Sequence, residues 1–491
     1  MARRRIGARE AEVVIDVRTQ HNRRDDMTTY ADFLTAKLAV VAPSGFAAKP
    51  IESELFDFQS DLVRWALLRG RAAIFASTGL GKTRMQLEWA RQVHAHTKKP
   101  LLILAPLAVA AQTVEEAAAV GLVVTHAREA AQVGPGITIT NYERLHKFDA
   151  SMFGGVVLDE SSCIKHHNTK TLAQMIACFS ATPFRLCATA TPAPNDYTEL
   201  GTHAEFLGIC TRPEMLAEFF CHDGGETQVW RLKGHARSQF WRWVASWGAM
   251  VRTPADLGYA DKRYKLPALT TKQHVIGVED TEVYAAGELF PKEVQSMSER
   301  RSARRSSIAD RVAAAAALVN DSTEPWIVWC DLNDESKMLL ESIPDAVEVT
   351  GSDDIDDKER NLTDFGAGKI RVLVTKPSIA GFGLNWQHCA RVAFVGVTDS
   401  WESYFQAIRR CWRFGQKRSV EVHIFVSEME GAVTRNLERK AADAEKMGEE
   451  LSRETSSAVR AEVKGQTRLT TNTDHKTKTE LPIWLITRGD E

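Results

Sequence analysis

The sequence predicts an α/β protein with two lobes, each built around a parallel β-sheet, and a small, mainly helical insertion between them. Short apolar runs alternate with helical patterns over residues 55–200 and again after residue 300, which is typical of parallel sheets covered by helices on both faces. Between these stretches the alternation stops and aromatic residues become frequent. At 491 residues the chain is long enough for two or three domains with separate cores.

This pattern divides the chain into five expected segments. They are an N-terminal extension with a leading helix (1–50), a first lobe (51–200), an aromatic-rich insertion (201–295), a second lobe (296–430), and a helical and polar tail (431–491). The predicted strands of the first lobe are Ala72–Ala76, Leu101–Ala105, Ile137–Thr140, Val156–Leu158 and Leu186–Thr189. Those of the second lobe are Trp326–Cys330, Val347–Thr350, Val372–Thr375, Val392–Val395 and Val420–Val426.

Composition is that of an ordinary globular protein, with 44% hydrophobic and 26% charged residues and a net charge of −2. Contacts with nucleic acid would therefore come from local basic surface rather than from overall charge. No apolar run approaches the about 20 residues that span a bilayer, so we expect no membrane association and a location in the cytosol. The eight cysteines form no CxxC pair, which favours buried, reduced thiols; a zinc site of Cys210, Cys221 and His222 is the alternative.

The first 26 residues are rich in arginine and poor in large apolar residues, and helical spacing begins only near Tyr30. We expect this stretch to be a dispensable extension, because its acidic residues largely cancel its basic ones. The alternative is a basic arm that contacts DNA phosphates.

The segment Ala76–Thr83 predicts a phosphate-binding loop between a strand and a helix. Gly79 and Gly81, next to Thr78, let backbone N–H groups approach phosphate oxygens, and the start of the helix adds positive potential. Lys82 would neutralise the β- and γ-phosphates of ATP, and Thr83 would bind Mg²⁺.

Two acids follow a second apolar strand. Because side chains at the carboxyl ends of parallel strands face the ligand crevice, Asp159 is predicted to hold Mg²⁺ and Glu160 to deprotonate the attacking water. Gln59, about one helix before the loop, is predicted to bind the adenine edge; the alternative is a residue on a helix surface.

The second lobe supplies a remote arginine motif, Gln406–Gln416. Arg410 and Arg413 lie three residues apart on a predicted helix, so both can face one γ-phosphate and stabilise charge in the transition state. Gly383, in a glycine-punctuated segment after a strand, and Gln406 are further candidate nucleotide contacts.

The order of these motifs resembles superfamily 2 helicases and, among them, the Snf2 (Swi2/Snf2-related) group. The compact length and the stretches Trp230–His235 and Phe240–Trp243 resemble Snf2-like helicases of phages and prophages, which implies the cytosol of a bacterium or of a phage-infected host. The matching motifs, over roughly residues 55–430, are Phe58-Gln59, Ala76–Thr83, Ala105–Leu107 with Gln112, Thr140–Glu143, Asp159-Glu160, Ala188–Pro192 with Asn195, Ser378–Asn385 and Gln406–Gln416. The chain departs from the family where Ser161-Ser162 replaces Ala-His and where Ala190 replaces glycine.

This resemblance implies two RecA-like lobes, ATP and Mg²⁺ as cofactors, and sequence-independent contacts with DNA. The expected activity is ATP-dependent translocation along double-stranded DNA. Two alternatives remain, namely a helicase that separates strands of DNA or RNA, and an accessory subunit that binds nucleic acid and only switches conformation with ATP. Intact Lys82, Glu160, Arg410 and Arg413 argue against the accessory subunit.

Three further patterns have two interpretations each. The repeated pairs Arg300-Arg301 and Arg304-Arg305 predict a basic stripe on a helix, which would contact phosphates or simply be solvated. The acids Asp353, Asp354, Asp356 and Asp357 favour a helix N-terminus over a metal site. The tryptophans of the insertion favour a small core over platforms for base stacking.

Overall fold

A computed structural model describes residues 41–106, 109–164, 169–194, 196–223, 226–260, 266–277, 305, 307–381, 384–396 and 400–428, with further positions between 439 and 464. Several predictions fall outside these residues. They are the N-terminal extension, the phosphate-binding or solvated role of Arg300, Arg301 and Arg304, the motif residues Leu107 and Asn195, the nucleotide contact of Gly383, and the polar end of the C-terminal tail. The described residues from Ala42 onward belong to one compact unit, which contains both lobes.

The helices and strands follow the predicted alternation. The helices are α1 (Asp57–Arg69), α2 (Lys82–Thr97), α3 (Val109–Ala119), α4 (Lys170–Phe179), α5 (Leu200–Leu207), α6 (Arg212–Phe219), α7 (Arg237–Ala245), α8 (Ile308–Asn320), α9 (Asn333–Ser342), α10 (Ile355–Gly366), α11 (Pro377–Ala380) and α12 (Trp401–Ile408). The strands are β1 (Arg71–Ala76), β2 (Leu101–Ala105), β3 (Val124–His126), β4 (Ile137–Asn141), β5 (Gly155–Asp159), β6 (Phe184–Thr189), β7 (Phe220–Asp223), β8 (Glu226–Leu232), β9 (Gly248–Val251), β10 (Leu269–Ile276), β11 (Trp326–Trp329), β12 (Ala346–Val349), β13 (Val372–Thr375), β14 (Arg391–Phe394) and β15 (Val420–Ser427). Short 3₁₀ turns occur at Ala130–Gln132, Tyr142–Lys147, Ala150–Met152, Ser161–Ile164, Tyr197–Glu199, Gly234–Ala236 and Pro254–Leu257.

Each lobe is built on a parallel sheet, as the sequence predicts. The first sheet has seven strands in the order β3-β4-β2-β5-β6-β1-β9, and the second has six in the order β10-β15-β14-β11-β13-β12. All ten predicted strands are present in these sheets, and their ends agree with the prediction to within two residues. Because the strands are parallel, the loops after β1, β5 and β6 lie at one edge of the first sheet.

The segment between the lobes differs from the mainly helical insertion that the sequence predicts. Its β9 pairs in parallel with β1 at the edge of the first sheet, and its β10 pairs with β15 at the edge of the second. A hairpin of β7 and β8 adds a small antiparallel sheet. The sequence did not predict β9 because this strand has only four residues. It did not predict β10 because this strand is largely exposed and most of its residues are polar.

Packing in this segment agrees with the predicted aromatic core. Phe240, Trp241 and Trp247 are all buried, and Trp243 packs against Trp247 with ring centroids 5.3 Å apart. Phe75, on β1, also contacts Trp247, so this core is continuous with the first lobe. The side chains of Trp241, Trp243 and Trp247 are therefore part of the hydrophobic interior rather than exposed stacking surfaces, whereas Trp230 is only partly buried.

The acids near residue 354 occupy a helix N-terminus, as predicted. Asp354 is the N-cap of α10, and its carboxylate accepts a hydrogen bond from the backbone N–H of Asp356 at 2.8 Å. In the part of the chain that the structure describes, no group of three or more His, Cys, Asp or Glu side chains is arranged to hold a metal.

Helical positions near the C-terminus pack on the first lobe, although the chain reaches them from the last strand of the second. Val459 and Val463 are buried in the core of the first lobe, and Glu462 forms an ion pair with the buried Arg69 of α1. None of the helices in the described ranges is long and apolar enough to cross a membrane.

Candidate nucleotide site

The loop between β1 and α2 has the geometry of a phosphate cradle. Gly79 and Gly81 adopt positive φ angles of 90° and 77°, which side chains rarely allow. A Cβ atom on Gly79 would lie 2.6 Å from the Cβ of Phe414, and one on Gly81 would lie 2.3 Å from Nε2 of Gln59. The loop therefore packs so closely that both positions require glycine.

Lys82 begins α2 and lines the cavity beside this loop. Its Nζ donates a hydrogen bond to the backbone carbonyl of Ala76 at 2.9 Å. Burial lowers the pKa of Lys82, and the carboxylates of Glu160 and Asp159 oppose this effect. The ammonium group thus lies in the cavity near two carboxylates and two arginines, where a phosphate group would be an additional partner.

Asp159 ends the buried strand β5 and is held from two sides. Its Oδ1 accepts a hydrogen bond from Nε2 of Gln86 at 2.7 Å, and its backbone carbonyl accepts one from the hydroxyl of Tyr142, also at 2.7 Å. Burial, followed by the neighbouring charge of Glu160, raises the pKa of Asp159 to about 6. A bound cation would offset both the burial of the Asp159 carboxylate and its repulsion by Glu160.

Glu160 has a backbone conformation that is rare for a residue with a side chain. Within the described ranges, only Lys98 and Glu160 are non-glycine residues with positive φ, and Glu160 has a φ of 51°. Its carboxylate accepts a hydrogen bond from the hydroxyl of Thr189 at 3.4 Å. The hydroxyl of the next residue, Ser161, lies 3.1 Å from Nε2 of His203, so it links this turn to the neighbouring helix α5.

Gln59 lines the same cavity, but both ends of its amide are already bonded to backbone groups. Its Oε1 accepts from the N–H of Phe56 at 2.9 Å, and its Nε2 donates to the carbonyl of Leu80 at 2.8 Å. Gln59 therefore connects the start of α1 to the phosphate loop in this structure. Binding of an adenine edge would require these bonds to be exchanged.

The second lobe places two arginines in the cavity. Arg410 donates to the carbonyl and the side-chain Oε1 of Gln406, each at 2.9 Å, and Arg413 donates to the carbonyl of Leu384 at 3.0 Å. Burial lowers the pKa of Arg410 to about 10 and also lowers that of Arg413. Both guanidinium groups remain cationic at neutral pH, and hydrogen bonds to backbone carbonyls fix their orientation.

Gln406 joins the lobes instead of lining the cavity. Its Nε2 donates to the hydroxyl of Thr191, which follows β6 in the first lobe, at 3.3 Å. Because Arg410 holds the other end of the same amide, one side chain connects the first lobe to an arginine of the second.

These residues surround a cavity of about 740 Å³. It is lined by Glu54, Leu55, Phe56, Gln59, Thr78, Gly79, Gly81, Lys82, Thr83, Arg84, Glu116, Asp159, Glu160, Gln387, Arg410, Arg413 and Phe414. The chemistry fits a nucleoside triphosphate, because cations and backbone N–H groups meet at the loop. It also fits Mg²⁺, which prefers hydroxyl and carboxylate oxygens such as those of Thr83 and Asp159 together with phosphate oxygens.

Several residues of the site were not predicted from the sequence. Phe56 and Phe414 contribute aromatic rings to its lining, and Glu116 and Gln387 contribute polar groups. Gln86 had a local signal, since it lies one helical turn after Lys82 on the same face of α2. Phe414 lies within the predicted motif Gln406–Gln416, but its close approach to Gly79 was not predictable, because it joins positions far apart in the chain.

Residues 310–415 match the family model for the helicase conserved C-terminal domain. This range includes strands β11 to β14 and both arginines of the cavity. Together with two parallel α/β sheets, the match supports a superfamily 2 helicase with tandem RecA-like lobes, and so an ATP-dependent, helicase-type enzyme that binds nucleic acid.

Among curated proteins, the chain is similar to protein p41 of Acyrthosiphon pisum secondary endosymbiont phage 1. The two are 24% identical over 423 aligned residues, which cover 73% of this chain and 89% of the relative. This similarity is consistent with the resemblance to phage proteins that the compact length and the aromatic stretches indicate.

Proposed function

We propose that this protein is an ATP-dependent translocase of the Snf2-like type that moves along double-stranded DNA. The observation that carries the proposal is that one cavity is lined by Lys82 and Glu160 from the first lobe and by Arg410 and Arg413 from the second. A site divided in this way couples nucleotide hydrolysis to the relative position of the lobes.

The roles of the first-lobe residues follow from their surroundings. Lys82, freed from the Ala76 carbonyl, neutralises the β- and γ-phosphates. Glu160 accepts the proton of the attacking water, and its bond to Thr189 orients the carboxylate. Thr83 and Asp159 would hold Mg²⁺, which when bound neutralises phosphate charge.

The second lobe completes the site. Arg410 and Arg413 stabilise the charge that develops on the γ-phosphate, and their anchors at Gln406 and Leu384 keep them in place. Loss of the γ-phosphate removes the anion that both arginines bind, so the lobes separate and the grip on DNA changes.

A phosphate-release assay with different nucleic acids tests this function. Duplex DNA should stimulate ATP hydrolysis well above the rate with single-stranded DNA or RNA. In parallel, the enzyme should displace a third strand from a triplex and leave a tailed duplex paired. Stimulation by RNA alone, or separation of the tailed duplex, would favour a strand-separating helicase, and absence of hydrolysis under all conditions would favour an accessory subunit.

A further inference from the structure

A second cavity adjoins the candidate nucleotide site. It measures about 720 Å³ and shares Thr78, Gly79 and Phe414 with the first cavity. Its other walls come from the segment after β9, from the end of α12, and from the helical positions near the C-terminus. Both lobes and the C-terminal segment thus enclose it.

The lining of this second cavity is dominated by guanidinium groups. Four arginines line it, and only two carboxylates accompany them. The arginines are Arg252, Arg409, Arg453 and Arg460, and the acids are Asp256 and Glu449. The net charge of the lining is therefore positive.

The two carboxylates are committed to other partners. Glu449 lies 3.5 Å from the guanidinium of Arg252, and the carboxylate of Asp256 accepts bonds from the backbone N–H groups of Arg252 and Thr253. Arg460 is directed to the backbone carbonyls of Ala255 and Asp256. Neither acid balances the charge of Arg409.

Arg409 has no ion-pair partner among the described residues, although Glu445 lies close enough to oppose the lowering of its pKa. Its guanidinium stacks on the rings of Phe405 and Trp412, with its central carbon 4.8 Å and 4.5 Å from their centroids. Its Nε is enclosed and has no hydrogen-bond partner, and within the described residues its side chain forms no ion pair. Burial, and then the charges of Arg252 and Arg413, lower the pKa of Arg409 to about 10.

A partly buried guanidinium beside two like charges is costly unless an anion accompanies it. Guanidinium groups match the oxygens of a phosphate, and stacking on aromatic rings fixes the plane of Arg409 for such a contact. We propose that this second cavity is a phosphate-binding site, separate from the site for the triphosphate. The phosphate is either the orthophosphate that leaves the adjoining cavity or a backbone phosphate of nucleic acid.

Binding of inorganic phosphate to the full-length protein tests the site. The protein is first saturated with the non-hydrolysable β,γ-imido analogue of ATP, which fills the γ-phosphate position, and phosphate binding is then measured by equilibrium dialysis. Wild type should still bind phosphate, and Arg409→Gln should weaken this binding by about tenfold or more. The matched control, Arg360→Gln on the exposed face of α10, should bind like wild type.

Equal phosphate binding by Arg409→Gln and wild type, or no binding to the analogue-saturated wild type, would overturn the site. Arg252→Gln replaces Arg409→Gln if thermal melting shows that the latter does not fold. If the analogue itself does not bind, the result contradicts the proposed function instead. The comparison of phosphate binding between wild type and Arg409→Gln then still tests the second cavity, because Arg409 lines that cavity and not the first.

A short duplex oligonucleotide distinguishes the two sources of phosphate. If the oligonucleotide displaces inorganic phosphate from wild type, the site takes a backbone phosphate. If both bind together, the ligand is orthophosphate. Either result supports the site, provided that Arg409→Gln weakens binding of the ligand identified, which is the oligonucleotide in the first case and inorganic phosphate in the second.

Discussion

Glu160 combines two unusual properties, a left-handed backbone and a position at the carboxyl end of a buried strand. Non-glycine residues in this conformation are strained, and such strain concentrates at functional sites. Here it turns the carboxylate toward the cavity while Asp159 continues the strand. The conformation therefore separates the tasks of two adjacent acids.

Removal of the Glu160 carboxylate tests its role as a base. Glu160→Gln should retain nucleotide affinity and lower the rate of ATP turnover by about 10²–10⁴, because the water loses its proton acceptor. Lys82→Ala should instead weaken nucleotide binding itself. Single-turnover phosphate release and fluorescent-nucleotide titration measure the two effects, with the exposed Glu341→Gln as control. Near wild-type turnover in Glu160→Gln would show that another group is the base.

Among single residues, the sequence identifies those whose function is indicated by their immediate neighbours in the chain. The loop Ala76–Thr83 and the pair Asp159-Glu160 each combine a strand with chemically distinctive neighbours. Tyr142 and Phe414 were not assigned their contacts, because these depend on how distant segments meet. The nucleotide contact of Gly383 stays a prediction, because this residue lies outside the described part of the chain.

Helices α8 and α9 are joined by an ion pair in the interior of the second lobe. Arg311 donates to Oε1 of Glu335 at 2.9 Å, and both side chains are fully buried. Glu335 also accepts the backbone N–H groups of Asp331 and Leu332, each at 2.9 Å, at the start of α9. The Glu335 carboxylate thus caps the start of α9 and also pairs with Arg311 of α8.

Loss of one partner should leave the other charge buried and unpaired. Arg311→Met should lower the free energy of unfolding by about 3–5 kcal/mol, whereas the exposed Arg360→Gln should change it by about 0.5 kcal/mol or less. Urea unfolding followed by circular dichroism measures both. A change for Arg311→Met as small as that for the control would mean that the pair contributes little.

Strands β10 and β15 carry a pair of facing histidines at the edge of the second sheet. Nε2 of His274 lies 3.0 Å from Nδ1 of His423, with Lys272 and Glu421 as charged neighbours. Burial first, and then the charge of His274, lower the pKa of His423 to about 4. The folded protein therefore resists protonation at a position where the unfolded chain accepts it.

Stability should consequently fall as the pH drops from about 6.5 toward 4, since the unfolded state binds the proton more readily over this window. His423 alone would contribute a loss of about 2 kcal/mol at pH 5. His423→Gln should show a flatter dependence of the free energy of unfolding on pH between 7 and 5. Equal slopes in wild type and variant would rule out His423 as the source.

At the scale of the whole molecule, two lobes were predictable because each repeats the alternation of apolar strands and helices. The edge strands β9 and β10 were not, since one is very short and the other is polar on most positions. Packing of Val459 and Val463 on the first lobe was also not predicted, because two valines in a charged stretch give no clear periodic signal.

The central claim is that hydrolysis requires groups from both lobes, and Arg413 tests it most directly. Arg413 lies in the second lobe, is anchored to the Leu384 carbonyl, and lines the cavity that Lys82 and Glu160 share. The decisive measurement is the ATPase rate of Arg413→Ala with and without duplex DNA, beside its affinity for ATP. We expect affinity close to that of wild type and no stimulation by DNA, because the charge of the transition state loses its partner from the second lobe. DNA-stimulated hydrolysis at the wild-type rate would contradict the two-lobe mechanism.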